Sequence, residues 1–89
     1  MNRFEIEFTD RAKLDIEKHK KTGNKAILNK ILTFLEELTQ HPFTGTGKPE
    51  PLKYEYSGYY SRRINNEHRL IYKVTENTVY IASAYGHYL

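Results

Sequence analysis

Residues 3–8 alternate between apolar and charged side chains, and this pattern predicts a short strand with one apolar face. Residues 9–21 follow with Thr9 or Asp10 as a candidate N-cap and with lysines near the C-terminal end, where they suit the helix dipole. We therefore expect a strand followed directly by a helix, which ends at the glycine of the "TGN" segment.

The second helix, residues 25–40, has the most regular pattern in the chain. Its apolar residues recur at helical spacing and form one stripe: Ile27, Ile31, Phe34, Leu35 and Leu38, widened by Leu28 and Leu32. Because the residue before a proline avoids the helical region, His41-Pro42 is expected to end this helix.

The second half of the chain predicts an antiparallel sheet. Residues 41–51 form a glycine- and proline-rich loop, after which three alternating segments are separated by turn signals: 59–64, 68–74 and 79–85. On the middle strand His68, Leu70, Tyr72 and Val74 share one face, and Arg69, Ile71 and Lys73 share the other. The fold class is therefore α+β: an N-terminal strand, two helices, then an antiparallel sheet of three to four strands packed against the helices.

Composition narrows the class of protein. The 89 residues suit one domain, 1–89, and the absence of cysteine removes disulfides and thiolate metal ligands. The four histidines lack tight ligand spacing, so neither a metal nor another cofactor is expected. With no apolar run long enough for a signal peptide or a membrane helix, we expect a cytoplasmic protein with no membrane association. All eight tyrosines follow position 53, which places the amphipathic surface in the second half.

Glu50 is the first candidate for chemistry. It lies between two prolines and is bracketed by Lys48 and Lys53. The prolines fix φ and lower the entropic cost of holding its carboxylate in place. Taken alone, a solvated loop acid is the more ordinary interpretation.

Arg69 and His87 are equally ordinary when each is taken alone, as a solvent-facing arginine and a polar residue after a strand. Together with Glu50 they suggest cleavage of RNA. That reaction needs a base for the 2′-hydroxyl, an acid for the leaving 5′-oxygen and a cation for the charge on phosphorus. The spacing of these three residues along the chain does not show that they meet in the fold.

His68 is expected to be buried and hydrogen-bonded, and Arg62 and Arg63 are expected to point to opposite faces.

The segments "GTGKPEPLK", "SGYYSRRI", "EHRLIYKV" and the closing "HY" closely resemble the YoeB/Txe toxins of bacterial toxin–antitoxin systems, within the RelE superfamily. The match runs in register from Pro42 to Tyr88. It implies a RelE/microbial-RNase-like fold and a ribosome-dependent endoribonuclease that cleaves mRNA in the ribosomal A site without a metal and inhibits translation.

The resemblance also implies residue roles. Glu50 matches the general base, Arg69 the transition-state arginine and His87 the general acid. Tyr88 matches a tyrosine that helps to place the scissile phosphate. Gly86 is expected to loosen the backbone before His87.

Four further residues are expected to contact RNA. Lys53 and Arg63 match family positions that assist in contacts with the substrate or ribosomal RNA. Lys48 is added for its charge and its closeness to Glu50. Tyr60 stands where relatives often have tryptophan and keeps an aromatic platform.

The implied partners are mRNA, the ribosome and a cognate antitoxin of the YefM/Axe type, whose C-terminal segment would cover the active site. A homodimer is left open. Two other functions stay open as well. A basic, tyrosine-bearing surface could dock on RNA or the ribosome and block translation without cutting. A toxin of the same fold could instead act on a DNA topoisomerase through protein contacts.

Overall fold

A computed structural model of the chain describes residues 3–87. The elements in chain order are β1 (Glu5–Phe8), α1 (Asp10–Thr22), α2 (Lys25–Leu38), β2 (Glu50–Pro51), β3 (Tyr59–Arg63), β4 (Arg69–Thr75) and β5 (Thr78–Ser83). The sheet order is β1-β5-β4-β3-β2, with β1 parallel to β5 and the other pairs antiparallel. The predicted α+β architecture is confirmed.

Local signals in the sequence set the helix bounds. The side chain of Thr9 accepts a hydrogen bond from the Ala12 amide at 3.1 Å, so Thr9 is the N-cap of α1. Gly23 ends α1 in the left-handed conformation, with φ of 68°. Asn24 caps α2 through the Ile27 amide, also at 3.1 Å. The second helix ends at Leu38, two residues before its predicted end.

The helices cover one face of the sheet and bury most of the predicted apolar stripe of α2. The stripe residues Ile27, Ile31, Phe34 and Leu38 are buried, together with Leu70 and Tyr72 of β4. Leu32 is a correction, because its side chain is 57% exposed and adds nothing to the core. It lies beyond the arc of α2 that the sheet covers.

The N-terminal strand closes the far edge of the sheet. Ile6 of β1 lies opposite Val79 and Phe8 opposite Ile81, so the apolar face of β1 joins the core. None of the helices within residues 3–87 combines the length and the hydropathy needed to cross a membrane.

The predicted loop 41–51 needs one correction, because its last two residues form β2. Glu50 lies opposite Ser61, and Pro51 opposite Tyr60, at the edge of the sheet. Proline fits an edge strand since it has no N–H to donate. The segment therefore places Glu50 on the sheet, with its backbone held in register.

Candidate active site

Glu50 and Arg69 come together across β3, which lies between their strands. Arg69 Nη1 is 3.5 Å from Glu50 Oε1 and donates to Ser61 Oγ at 3.2 Å. The side chains are 59% and 27% exposed for Glu50 and Arg69 respectively, so both are accessible to a ligand. The structure thus brings two of the predicted site residues into contact on the face away from the helices.

Two arginines lie side by side on this surface. Arg63 is directly opposite Arg69 in the register of β3 and β4, and directly opposed residues of antiparallel strands share a face. Like charges in this position repel, and a bound anion would relieve the repulsion. Arg63 is exposed and donates to Asn66 Oδ1.

The residues after Glu50 form one wall of a surface concavity. Its volume is about 600 Å³, and it is lined by residues 50–56, including Glu50 and Lys53. Tyr54 belongs to this wall and was missed by the sequence analysis. It is 90% exposed and has φ of 59°, which is rare for a bulky residue.

His87 is exposed, and the residue before it, Gly86, is hydrogen-bonded to Arg69. The amide of Arg69 donates to the Gly86 carbonyl at 2.8 Å. The Gly86 amide in turn donates to His68 Nδ1 at 3.0 Å. Both backbone polar groups of Gly86 are therefore hydrogen-bonded, and the expected loosening there stays a prediction. Tyr88 lies outside the described residues.

The structure does not bring Tyr60 beside Glu50 and Arg69. Tyr60 lies opposite Tyr72, and their rings stack at 5.9 Å; the ring of Phe43 is 5.1 Å away on the loop before β2. Tyr60 is thus half-buried on the face that the helices cover. Lys48 is exposed beside β2, with φ of 50°.

The loop before Glu50 is held by Arg62, which is fully buried. Its guanidinium donates to Glu37 Oε1 at 2.6 Å. It also donates to loop carbonyl oxygens: those of His41 (2.7 Å), Thr44 (2.7 Å) and Thr46 (3.3 Å). Arg62 therefore lies on the helix side and Arg63 on the other, which confirms the predicted divergence. The sequence signalled the divergence but not the partners.

This network shifts the pKa of two groups. Burial raises the pKa of Glu37, but hydrogen bonds from Thr46 and the Arg62 guanidinium outweigh it and hold the pKa below its ordinary value. Burial raises the pKa of the Tyr72 hydroxyl, against the opposing effect of Arg62. Glu37 is thus an ionised anchor for Arg62.

His68 is buried and hydrogen-bonded, as predicted. Asp15 and His19 were missed by the sequence analysis. Each is 1% exposed, and they lie one turn apart on α1. No sequence signal marked them, because polar residues on a charged helix are normally solvated. Residues 3–87 hold no group of three metal-ligand side chains.

Comparison with known proteins assigns the chain to a family. The family model of the YoeB-like toxin of bacterial type II toxin–antitoxin systems matches residues 8–88. The toxin YoeB of Escherichia coli K12 is 48% identical over 65 residues, which cover 73% of this chain and 77% of that protein.

Two solved structures from Staphylococcus aureus are similar over 97% of this chain and 99% of theirs. One is a YoeB dimer, with a TM-score of 0.85 and 41% identity. The other is a YoeB–YefM complex, with a TM-score of 0.83 and 42% identity.

Proposed function

Because this chain belongs to the YoeB-like toxins of bacterial type II toxin–antitoxin systems, we propose that it is an endoribonuclease that cuts mRNA in the decoding site of the ribosome. The observation that carries the proposal is the contact between Glu50 Oε1 and Arg69 Nη1 at 3.5 Å on an accessible surface. A carboxylate beside a cation can take a proton while the cation binds the neighbouring phosphate.

The reaction is an internal transfer that uses only groups of the RNA and of this chain. Glu50 takes the proton of the 2′-hydroxyl, whose oxygen attacks the adjacent phosphorus. Arg69 stabilises the charge on the non-bridging oxygens. The bond from phosphorus to the 5′-oxygen breaks, and His87 gives that oxygen a proton. The products are a 2′,3′-cyclic phosphate and a 5′-hydroxyl end.

Further residues bind the RNA in this proposal. Arg63 supports it because its charge lies directly opposite Arg69 in the sheet. Lys53 lines the same concavity as Glu50, and Lys48 is exposed two residues before Glu50. These cations hold phosphates next to the one that is cut. Tyr88 places the scissile phosphate. Tyr60 contributes through its ring contacts with Phe43, on the loop before β2, and with Tyr72 of β4.

The proposed partners are mRNA, the ribosome and an antitoxin. The Staphylococcus aureus relative is in complex with YefM, which supports an antitoxin of that kind for this chain. Its C-terminal segment would lie over the exposed cations near Glu50, because cations that bind RNA also attract an acidic segment. The dimer of the same relative supports a homodimer. Charge reversal at Lys53 and Arg63 should weaken neutralisation by the antitoxin; unchanged neutralisation would exclude this landing site.

Primer extension on mRNA held in programmed ribosomes tests the function. Wild type should create a new end within the decoding-site codon. Loss of a general base or acid typically costs roughly 100- to 10,000-fold in rate, so Glu50→Gln and His87→Gln should fall by that order, and Arg69→Met should fall as well. Glu55→Gln is the matched control for Glu50, since Glu55 lines the same concavity and is exposed.

Other results would point to other functions. Arrested translation with intact mRNA would make the protein a non-cleaving blocker of the ribosome. Normal translation with arrested replication would point to a topoisomerase target. Equal cleavage by Glu50→Gln and Glu55→Gln would remove Glu50 from the reaction.

A further inference from the structure

The segment that carries His87 is anchored to α1 through both backbone groups of Ala84. Asp15 Oδ2 accepts from the Ala84 amide at 2.9 Å, and His19 Nε2 donates to the Ala84 carbonyl at 2.8 Å. The Arg11 guanidinium binds both oxygens of Asp15 at 3.0 and 3.1 Å. The end of β5 is therefore fixed against the helix.

Two residues further on, His68 and Arg69 fix Gly86. The ring of His68 accepts from the Gly86 amide, and the Arg69 amide donates to its carbonyl. Gly86 has φ of 81°, a conformation that other residues rarely adopt. His87 is the next residue, so the two hydrogen bonds at Gly86 are the last described anchors before it.

His68 is itself held firmly. Its amide donates to Asn65 Oδ1 at 2.8 Å, and its carbonyl accepts from the Ile64 amide at 3.0 Å. Its ring packs edge-on against His19 at 4.7 Å and lies 4.4 Å from the ring of Tyr85. The ring can therefore act as a fixed acceptor for the Gly86 amide.

A ring nitrogen accepts a hydrogen bond only without a proton of its own. In the contact with Gly86, Nδ1 of His68 is therefore unprotonated. A doubly protonated ring would turn an N–H toward the amide and break the contact.

We propose that His68 is a positioning residue: its neutral ring fixes the segment that carries His87, and protonation of that ring releases the segment. The proposal deepens the proposed function and rests on it for the role of His87 in cleavage. A displacement of about 1 Å in a catalytic group can cost on the order of 100-fold in rate. Loss of the hydrogen bond at the Gly86 amide would lower the cleavage rate to that extent where it displaces His87 by such a distance.

Burial of the ring favours its neutral form more than any neighbouring charge does. The titratable groups that face it are Asp15 and His19 from α1, Glu67 from the preceding turn, and Tyr85 and His87 from the C-terminal segment. Burial lowers the pKa of His68, and the charge of His19 lowers it further, against the opposing effect of Glu67. The anchor is therefore intact at neutral pH and is lost on acidification.

The first test follows the wild-type protein by NMR, without RNA. The ring of His68 is titrated while the exchange rate and chemical shift of the Gly86 amide are recorded. Exchange, corrected for its intrinsic pH dependence, should accelerate in step with protonation of His68, and the His87 backbone shift should move with it. A Gly86 amide that ignores the titration of His68 would overturn the proposal.

The second test uses two substitutions. His68→Leu removes the acceptor, and His68→Asn keeps one, because Asn Oδ1 occupies nearly the place of Nδ1 and does not titrate. His68→Leu should shift the His87 backbone signals and lower kcat for cleavage on the order of 100-fold, with little change in KM. His68→Asn should restore part of the rate and remove the extra loss at acid pH. His41→Leu, at an exposed histidine, is the matched control.

Failure of the positioning role of His68 and failure of the proposed cleavage chemistry give different results. Wild-type cleavage by His68→Leu, or an unmoved His87 signal in a folded His68→Leu variant, would overturn the positioning role. If Glu50→Gln cleaves like wild type while Gly86 still follows the titration of His68, the positioning of the segment stands and the proposed chemistry fails. Thermal unfolding of each variant confirms that it is folded. If His68→Leu does not fold, the NMR titration of the wild-type protein decides whether His68 positions the segment.

Discussion

Arg62 offers a direct test of how the loop before Glu50 is held. Replacing it with methionine keeps much of the side-chain volume but removes the guanidinium. The substitution removes a 2.6 Å ion pair to Glu37 and the bonds to three loop carbonyl oxygens. The adjacent Arg63 is exposed on the other face, so Arg63→Met is the matched control.

The cost follows from what is left without a partner. Breaking a buried ion pair by removing one member typically costs about 3–5 kcal/mol. The lower end applies here, because Glu37 keeps two hydrogen bonds from Thr46 at 2.9 Å and its side chain is 25% exposed. We expect Arg62→Met to lose about 3 kcal/mol. A chain of this length has roughly 4–13 kcal/mol in total.

Urea unfolding followed by far-ultraviolet circular dichroism measures the loss in the free energy of unfolding, and thermal unfolding followed by the same signal measures the change in Tm. At roughly 4–8 °C per kcal/mol, Tm should fall by about 12–24 °C for Arg62→Met, while Arg63→Met should change stability by less than about 0.5 kcal/mol. Equal losses for the two variants would refute the inference that Arg62 anchors the loop.

Three further predictions concern stability. Gly47→Ala should cost about 1–3 kcal/mol, because a Cβ at this residue would lie 2.5 Å from Cζ of Phe34; Gly58→Ala, with a similar φ but open space, should cost less in the same urea titration. Because the pKa of His68 is lowered in the folded state, the contribution of His68 to stability should be complete above its ordinary pKa of 6.5 and should fall as the pH drops from there through the lowered pKa. His68→Asn should flatten this part of the plot of urea midpoint against pH. Because the pKa of Glu37 is also lowered, its contribution should be present above the ordinary value of 4.5 and be lost as the pH falls through the lowered pKa, and Glu37→Gln should remove that dependence.

Local patterns predicted the elements because each carries its own signal. Thr9, Asn24 and Gly23 act within a few residues of the backbone groups that they satisfy. Alternation placed Arg62 and Arg63 on opposite faces without any knowledge of the partners. The bounds of the four predicted strands differ from the observed ones by at most two residues, whereas β2 was predicted as loop.

Tertiary features were not predictable in the same way. The parallel pairing of β1 with β5 joins residues more than 70 positions apart, and no local pattern in either strand indicates which strand it pairs with. Asp15 and His19 look like solvated helix residues until the end of β5 supplies the backbone groups that they bind. The contact of Glu50 with Arg69 depends on β3 lying between their strands, which spacing along the chain does not reveal.

The central claim is that the 2′-hydroxyl of the RNA is the nucleophile of the cleavage. The most direct test is cleavage of ribosome-bound mRNA that carries one 2′-deoxynucleotide immediately before the bond to be cut, compared with the all-ribose mRNA. The account predicts that the all-ribose mRNA is cut to a 2′,3′-cyclic phosphate and a 5′-hydroxyl end, while the deoxy mRNA stays intact at that bond. Equal cleavage of both, or cleavage of neither, would contradict it.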